Sequence, residues 1–127
     1  MATLSSTPPP VVLIVEDDEL QRSLAFVVVE EAGYVAIEAR NADEAVALLE
    51  SRPDISVLFT DVQMPGSMDG LALAHVARSR WPSMKIVIAS AQIRVQPCEL
   101  PSSSCFVGKP YCPAALVEQL RSIVGSA

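Results

Sequence analysis

Apolar runs and amphipathic stretches alternate along most of the chain. Val11 to Val15 is an uninterrupted apolar run that stops at four acidic residues, which is typical of a strand buried on both faces. Apolar residues then recur at steps of three and four, which predicts a helix over 20–32 that ends at Gly33. The apolar positions of this helix are Leu20, Leu24, Val27, Val28 and Ala32.

The same alternation continues toward the C-terminus. The fourth helix of this alternation is expected within 92–104, a segment that contains Pro97 and Pro101. Because proline inside a helix costs about 3 kcal/mol, we predict that this helix is short, distorted or absent. Asn41 is a suitable N-cap for the second helix. Five β/α units predict an α/β fold with one five-stranded parallel sheet, helices on both faces and functional residues at the carboxyl ends of the strands. The remaining strands are predicted over 35–39, 57–60, 85–89 and 105–107, and the remaining helices over 42–50, 71–80 and about 113–124.

Length and composition restrict the function classes. At 127 residues, half of them hydrophobic, the chain has the size and composition of one globular domain. Residues 1–10 are rich in Ser, Thr and Pro and predict a flexible tail, which leaves 11–125 for the domain. Nine basic residues against fifteen acidic ones disfavour DNA as a direct partner. The three cysteines match neither a disulfide framework nor zinc spacing, and the sequence shows no signal peptide or membrane-length apolar stretch, so we expect a cytoplasmic protein without a membrane partner.

Acidic residues follow two of the predicted strands. Glu16, Asp17 and Asp18 come directly after the first strand, and Asp61 follows the third. The carboxyl ends of parallel strands lie at one edge of a sheet, so these carboxylates are expected to converge. Their repulsion requires a proton or a cation, and a small set of carboxylate oxygens suits Mg²⁺. Asp18 and Glu19 are also suited to a helix N-terminus, where negative charge is favoured.

Two further polar residues are expected at the same edge. Ser90 follows the fourth strand and Lys109 follows the fifth. A carboxylate nucleophile, a metal, a hydroxyl and an ammonium are together the groups that phosphoryl transfer to an aspartate uses, because catalysis there is mainly in-line positioning and charge neutralisation. The lone His75 lies within a predicted helix and is expected on its surface.

Four motifs occur in order, each at the end of a predicted strand. They are V-L-I-V-E-D-D-E over 12–19, T-D-V-Q-M-P-G over 60–66, S-A over 90–91 and G-K-P-Y over 108–111. With these motifs the chain resembles the receiver domain of response regulators, the CheY-like superfamily. The resemblance implies a doubly wound (βα)5 flavodoxin-like three-layer sandwich, and it implies a stand-alone, single-domain response regulator of a two-component phosphorelay.

The resemblance also implies a role for each acidic residue of the edge. Asp61 would be the phosphoacceptor. Glu16, Asp17 and the backbone carbonyl of Gln63 would join Asp61 in holding Mg²⁺. The family commonly reads P-G-M-D-G after the phosphoacceptor strand, whereas Ser67 makes this loop one residue longer here.

For signalling, the resemblance implies a two-state switch. Ser90 and Lys109 would engage the phosphoryl group, and the ring of Phe106 would turn inward and change a protein-interaction surface. The phosphodonor would be a histidine kinase or a histidine phosphotransfer protein, and the downstream protein target is not identified. Homodimer formation stays open. We hypothesise that the partner surface centres on the fifth strand, the last helix and the Pro-rich loop before that strand, with Val117, Leu120 and Phe106 as the positions to test.

Two other functions are open at this point. One is a non-phosphorylated pseudo-receiver that acts as a constitutive interaction module. The other is an aspartyl-phosphate phosphohydrolase of the haloacid-dehalogenase type, although the D-x-D motif of those enzymes is replaced here by Glu16-Asp17-Asp18. We do not expect an enzyme that turns over a separate substrate. We expect a phosphoacceptor that catalyses only its own phosphotransfer and dephosphorylation.

Overall fold

The predicted alternation of strands and helices is present in the fold. A computed structural model describes residues 9–62, 69–90, 104–108 and 112–124, with the side chains at positions 90, 104 and 106 excepted. Residues 1–8 of the predicted tail lie outside the described residues, as does the segment 92–104 of the predicted irregular helix except for residue 104. The domain bounds of 11–125 stay a prediction. The elements in chain order are β1 (Val11–Val15), α1 (Glu19–Glu31), β2 (Val35–Ala39), α2 (Ala42–Ser51), β3 (Ile55–Asp61), α3 (Gly70–Arg80), β4 (Lys85–Ser90), β5 (Ser104–Gly108) and α4 (Pro113–Val124).

The five strands form one sheet in the order β2-β1-β3-β4-β5, and every neighbouring pair is parallel. This strand order, with all neighbours parallel, confirms the predicted doubly wound five-stranded sheet. From β1 the chain continues to β2 on one side, whereas from β3 it continues to β4 on the other side, so the direction of winding reverses between the neighbouring strands β1 and β3. In open α/β sheets such a reversal leaves a crevice at the carboxyl ends of the two strands, and that crevice is where ligands bind.

Two hydrophobic clusters hold helices against opposite faces of the sheet. β1 contributes to both, because its side chains alternate and all five of its residues are buried. Leu13 belongs to the cluster under α2 and α3, and Ile14 belongs to the cluster under α1 and α4. The three layers that the resemblance implied are therefore present.

Local signals set the ends of the helices as the sequence predicts. The side chain of Asn41 accepts a hydrogen bond from the N–H of Glu44 and caps α2. α1 ends before Gly33, which has a φ of 99°, a conformation that costs glycine little. β3 begins two residues earlier than predicted, at Ile55, because that apolar residue pairs with Val11 of β1.

The side of α1 that faces the sheet coincides only in part with the apolar stripe that marks the helix in the sequence, of which Val28 packs on the buried cluster. Leu20, Leu24 and Val27 are 68%, 58% and 50% exposed, whereas Ala25 and Val29 are buried. At about 100° per residue, Leu24 and Val29 point about 140° apart, so the helix has two apolar sides. Periodicity predicts the helix, but only contact with the sheet selects the side that is buried.

One proposed test position for a partner surface is also wrong. Leu120 of α4 is fully buried in the cluster that joins α1 and α4 to the sheet, so it cannot contact a partner. Val117 is half-buried, and the side chain of Phe106 lies outside the described residues. Among the residues that the structure describes, no helix is long and apolar enough to cross a membrane.

Candidate functional site

The crevice between β1 and β3 brings three of the predicted metal ligands together. Glu16 and Asp17 directly follow β1, and Asp61 is the last residue of β3. Val15 pairs with Thr60 in the sheet, so the two strands end side by side. One carboxylate oxygen from each of Glu16, Asp17 and Asp61 lies within 4.8 Å of the other two. The convergence expected from the sequence is therefore present for these three of the four acids, whereas Asp18 caps α1.

Glu16 is a buried acid with directed contacts of its main chain and of its side chain. The residue is only 6% exposed. Its N–H donates to the carbonyl of Ala39 at 3.1 Å, which continues the pairing of β1 with β2. Its Oε2 accepts the N–H of Asp18 at 3.1 Å. The main chain of Glu16 is thus fixed to β2 and its carboxylate to the start of α1, and pre-set ligands need little ordering when a cation arrives.

Asp17 and Asp18 diverge although they are neighbours. Asp17 is exposed and contributes its carboxylate to the acidic group. Asp18 is the N-cap of α1, with its Oδ1 accepting the N–H of Leu20 at 3.0 Å. The expectation that Asp18 serves the helix start is confirmed, and His75 is exposed on α3 as expected.

Asp61 is held by main-chain contacts on both sides. It pairs with Ala89 of β4, and the following N–H, of Val62, donates to the carbonyl of Ala89 at 2.9 Å. The N–H of Gly70, the first residue of α3, donates to the carbonyl of Val62 at 2.8 Å. A Cβ at Gly70 would overlap the Asp61 carbonyl oxygen and lie 2.6 Å from its carbonyl carbon. α3 therefore contacts the backbone of Asp61 directly.

The three carboxylates fit a small oxygen-preferring cation. Oxygens around one Mg²⁺ lie about 2.1 Å from the metal and so at most about 4.2 Å apart. The 4.8 Å limit for the three carboxylates is close to that span. A slight rotation of the exposed Asp17, or one intervening water, accommodates the difference. When bound, the metal would neutralise charge on a transferring phosphoryl group.

Four residues that the resemblance assigns to the site cannot be placed. Gln63 and Lys109 lie outside the described residues. The backbone of Ser90 ends β4 and pairs with Gly108, and the backbone of Phe106 pairs with Ile88, but their side chains are not described. Their roles as metal ligand, phosphoryl contacts and switch stay predictions.

Two residues near the site were not identified from the sequence. Gly70 contacts the backbone of Asp61, and the sequence signal for it is a glycine directly before the helix predicted over 71–80. Arg22 of α1 reaches the backbone carbonyl of Glu16. The sequence signal for Arg22 is a basic residue seven positions before the buried Val29, which places both residues on the same side of the helix.

Comparisons with known proteins agree with this geometry. The family model described as "Response regulator receiver domain" matches residues 12–121. A CheY homolog from Campylobacter jejuni, a chemotaxis protein, is 30% identical over 95 residues, which cover 71% of this chain and 72% of that protein. A putative NtrX-like response regulator from Rickettsia bellii is 34% identical over 75 residues, and the match covers 58% of this chain but only 16% of the relative. A receiver protein from Sinorhizobium medicae superposes with a TM-score of 0.86 at 22% identity, covering 93% of this chain and 96% of that one, and this likeness concerns the fold.

Proposed function

Because the chain belongs to the family of response regulator receiver domains, we propose that Asp61 accepts a phosphoryl group with the help of Mg²⁺ and thereby switches a protein-interaction surface. The observation that carries the proposal is the convergence of Glu16, Asp17 and Asp61 at the crevice between β1 and β3. Membership of the family implies a histidine kinase or a phosphotransfer protein as the donor. Organisation as a stand-alone domain and a cytoplasmic location stay predictions.

Asp61 is the carboxylate best suited to be the nucleophile. Glu16 has one oxygen engaged by the N–H of Asp18, and Asp17 lies at the exposed side of the group. Asp61 is 8% exposed, ends the strand beside the crevice and has its backbone held from both sides. A carboxylate oxygen of Asp61 would bond to phosphorus while the bond from phosphorus to the donor atom breaks, and the donor leaves with that electron pair. Hydrolysis of the resulting acyl phosphate at the same site would reset the switch.

The experiment that tests the proposal is phosphorylation by acetyl phosphate, followed by intact mass. Wild type with Mg²⁺ should gain one phosphoryl group, and neither Asp61→Asn nor wild type with EDTA should gain it. Asp54→Asn is a matched control, because Asp54 is an exposed acid that pairs with Arg52. It directly precedes β3, at the opposite end of the strand from Asp61. An adduct in Asp61→Asn would contradict the proposed acceptor, and no adduct in wild type, even from phosphorylated donor proteins, would favour the pseudo-receiver. Repeated release of phosphate from small phosphoesters would favour the phosphohydrolase.

The exposed stripe of α1, formed by Leu20, Leu24 and Val27, supports a docking site for the donor protein. α1 begins at the edge of the sheet where Asp61 lies, so a protein that brings a phosphohistidine to this edge covers the start of the helix. Exposed apolar side chains beside a reactive site favour a protein partner over a small molecule alone. The acidic residues at the start of α1, Asp18 and Glu19, favour a donor with basic side chains around its histidine.

A pair of serine substitutions separates docking from chemistry. Leu24→Ser should slow transfer from a phosphorylated donor protein by about tenfold, because one apolar contact at an interface is worth about 1–2 kcal/mol. Phosphorylation by acetyl phosphate should stay unchanged in the same variant. Val35→Ser is the control, since Val35 is 38% exposed but starts β2 at the opposite edge of the sheet. Equal transfer rates in the two variants would refute the docking site on α1.

A further inference from the structure

Arg22 is a charged residue on the sheet-facing side of α1. Its side chain is only 11% exposed, although arginine is rarely buried without partners. The guanidinium has two directed contacts, since Nε donates to Oε1 of Glu38 at 3.0 Å and Nη1 donates to the backbone carbonyl of Glu16 at 3.0 Å. Arg22 therefore joins α1 and β2 to the residue that follows β1.

The contact with Glu16 completes a set of restraints on that acid. The N–H of Glu16 donates to Ala39, its Oε2 accepts from Asp18, and its carbonyl accepts from Arg22. The contact from Arg22 comes from a side chain, and it ties the first acid of the group to a helix packed on the sheet. Because the guanidinium is planar, Glu38 on one of its nitrogens also orients the nitrogen that meets Glu16.

We propose that Arg22 is a positioning residue for the acidic site, acting through Glu16, and the inference rests on the function proposed above. Arg22 holds the main chain of Glu16 so that its carboxylate stays beside those of Asp17 and Asp61, ready for a divalent cation. Side chains that orient metal ligands in this way typically change metal affinity by about 10- to 100-fold when they are removed.

Positioning and simple charge predict opposite results for the loss of Arg22. If Arg22 acted only as a nearby cation, its removal would make the site more negative and would tighten Mg²⁺ binding. If Arg22 positions Glu16, its removal makes the Glu16 carboxylate more mobile and weakens Mg²⁺ binding. The sign of the change in Mg²⁺ affinity therefore distinguishes the two roles without any measurement of phosphorylation.

The test compares four variants by calorimetric titration with MgCl₂. Arg22→Met should weaken Mg²⁺ binding about tenfold, and Arg22→Lys, which keeps the charge but loses the planar fork, should weaken it by a smaller factor. Glu38→Gln keeps a hydrogen-bond acceptor for Nε and should change the affinity less than Arg22→Lys does. Arg52→Met is the matched control, because it removes one cation at the far end of the sheet, where Arg52 pairs with Asp54.

A second readout separates positioning from general loss of structure. With acetyl phosphate as donor, Arg22→Met should need about tenfold more Mg²⁺ for half-maximal rate, while the rate at saturating Mg²⁺ falls much less. Unchanged or tighter Mg²⁺ binding in Arg22→Met would overturn the inference. If Arg22→Met does not fold, unchanged affinity in Arg22→Lys overturns it instead. The proposed function would be overturned as well if wild type neither bound Mg²⁺ nor gained a phosphoryl group. If wild type binds Mg²⁺ normally and the variants bind it equally well, only the role of Arg22 is overturned.

Discussion

Replacement of Gly70 by alanine sets two physical effects against each other. Gly70 is the first residue of α3, and alanine is a better helix former than glycine by about 1 kcal/mol. Helix propensity alone therefore predicts a more stable protein. The added methyl group, however, would overlap the Asp61 carbonyl oxygen and lie 2.6 Å from its carbonyl carbon and 2.8 Å from Oγ1 of Thr60.

The contacts decide which effect is larger. Ordinary van der Waals contact begins at 3.4 Å, so the start of α3 and the end of β3 must move apart by well over 1 Å to clear the Asp61 carbonyl oxygen. Two of the three atoms are main-chain atoms of a strand paired on both sides, and they cannot rotate away as a flexible side chain can. Overpacking of this kind typically costs about 1–3 kcal/mol, and we place this case at the upper end. After the gain in propensity, the net loss should be about 2 kcal/mol, or about 8 °C in Tm for a domain of this size.

The assay is urea unfolding combined with phosphorylation by acetyl phosphate. Because the displaced backbone is that of the proposed phosphoacceptor, Gly70→Ala should also be phosphorylated more slowly while still folded. Gly108→Ala is the stability control, since a Cβ there meets no atom of the described residues within 4 Å and should change stability by less than about 0.5 kcal/mol. Gly33→Ala has equally open space but a φ of 99°, so it should cost about 1 kcal/mol through backbone strain alone. A Gly70→Ala protein as stable as wild type would refute the steric argument.

The remaining predictions concern surface charge, thiol reactivity and the core. The pKa of Glu44 is lowered by hydrogen bonds from the side chain and the backbone N–H of Arg40, so its stabilising contribution is present above the ordinary carboxyl pKa of about 4.3 and is lost as the pH falls through the lower folded-state value. Wild type and Glu44→Gln should therefore converge in Tm as the pH falls below that folded-state pKa, and a difference in Tm that is independent of pH would exclude the ion pair as its source. Burial raises the pKa of the Cys105 thiol, so iodoacetamide should label it more slowly than the exposed Cys112 at about pH 8, and equal rates by peptide mass spectrometry would contradict this. Leu120→Ala should lower the free energy of unfolding by about 2–5 kcal/mol in urea, and a loss below about 1 kcal/mol would show that α4 is not packed as described.

Much of the fold could be predicted from short stretches of sequence, because the signals involved are local. A strand buried on both faces needs an unbroken apolar run, which Val11–Val15 provides. A helix start needs a side-chain acceptor for its free N–H groups, and Asn41 supplies it. The placement of acids directly after strands likewise predicted that Glu16, Asp17 and Asp61 would meet, since parallel strands end at a common edge.

Other features depend on contacts between distant parts of the chain. α1 has two apolar sides, and packing on the sheet buries Ala25 and Val29 while Leu24 stays exposed, which no periodicity in the helix could decide. The same packing turns Arg22 inward, where Glu38 and the carbonyl of Glu16, 16 and 6 residues away in the chain, satisfy its charge and donors. A helical pattern specifies only that one side will be buried. Which side it is, and which backbone atoms it meets, is decided by the tertiary structure, because burial energy depends on the surface that the helix packs against.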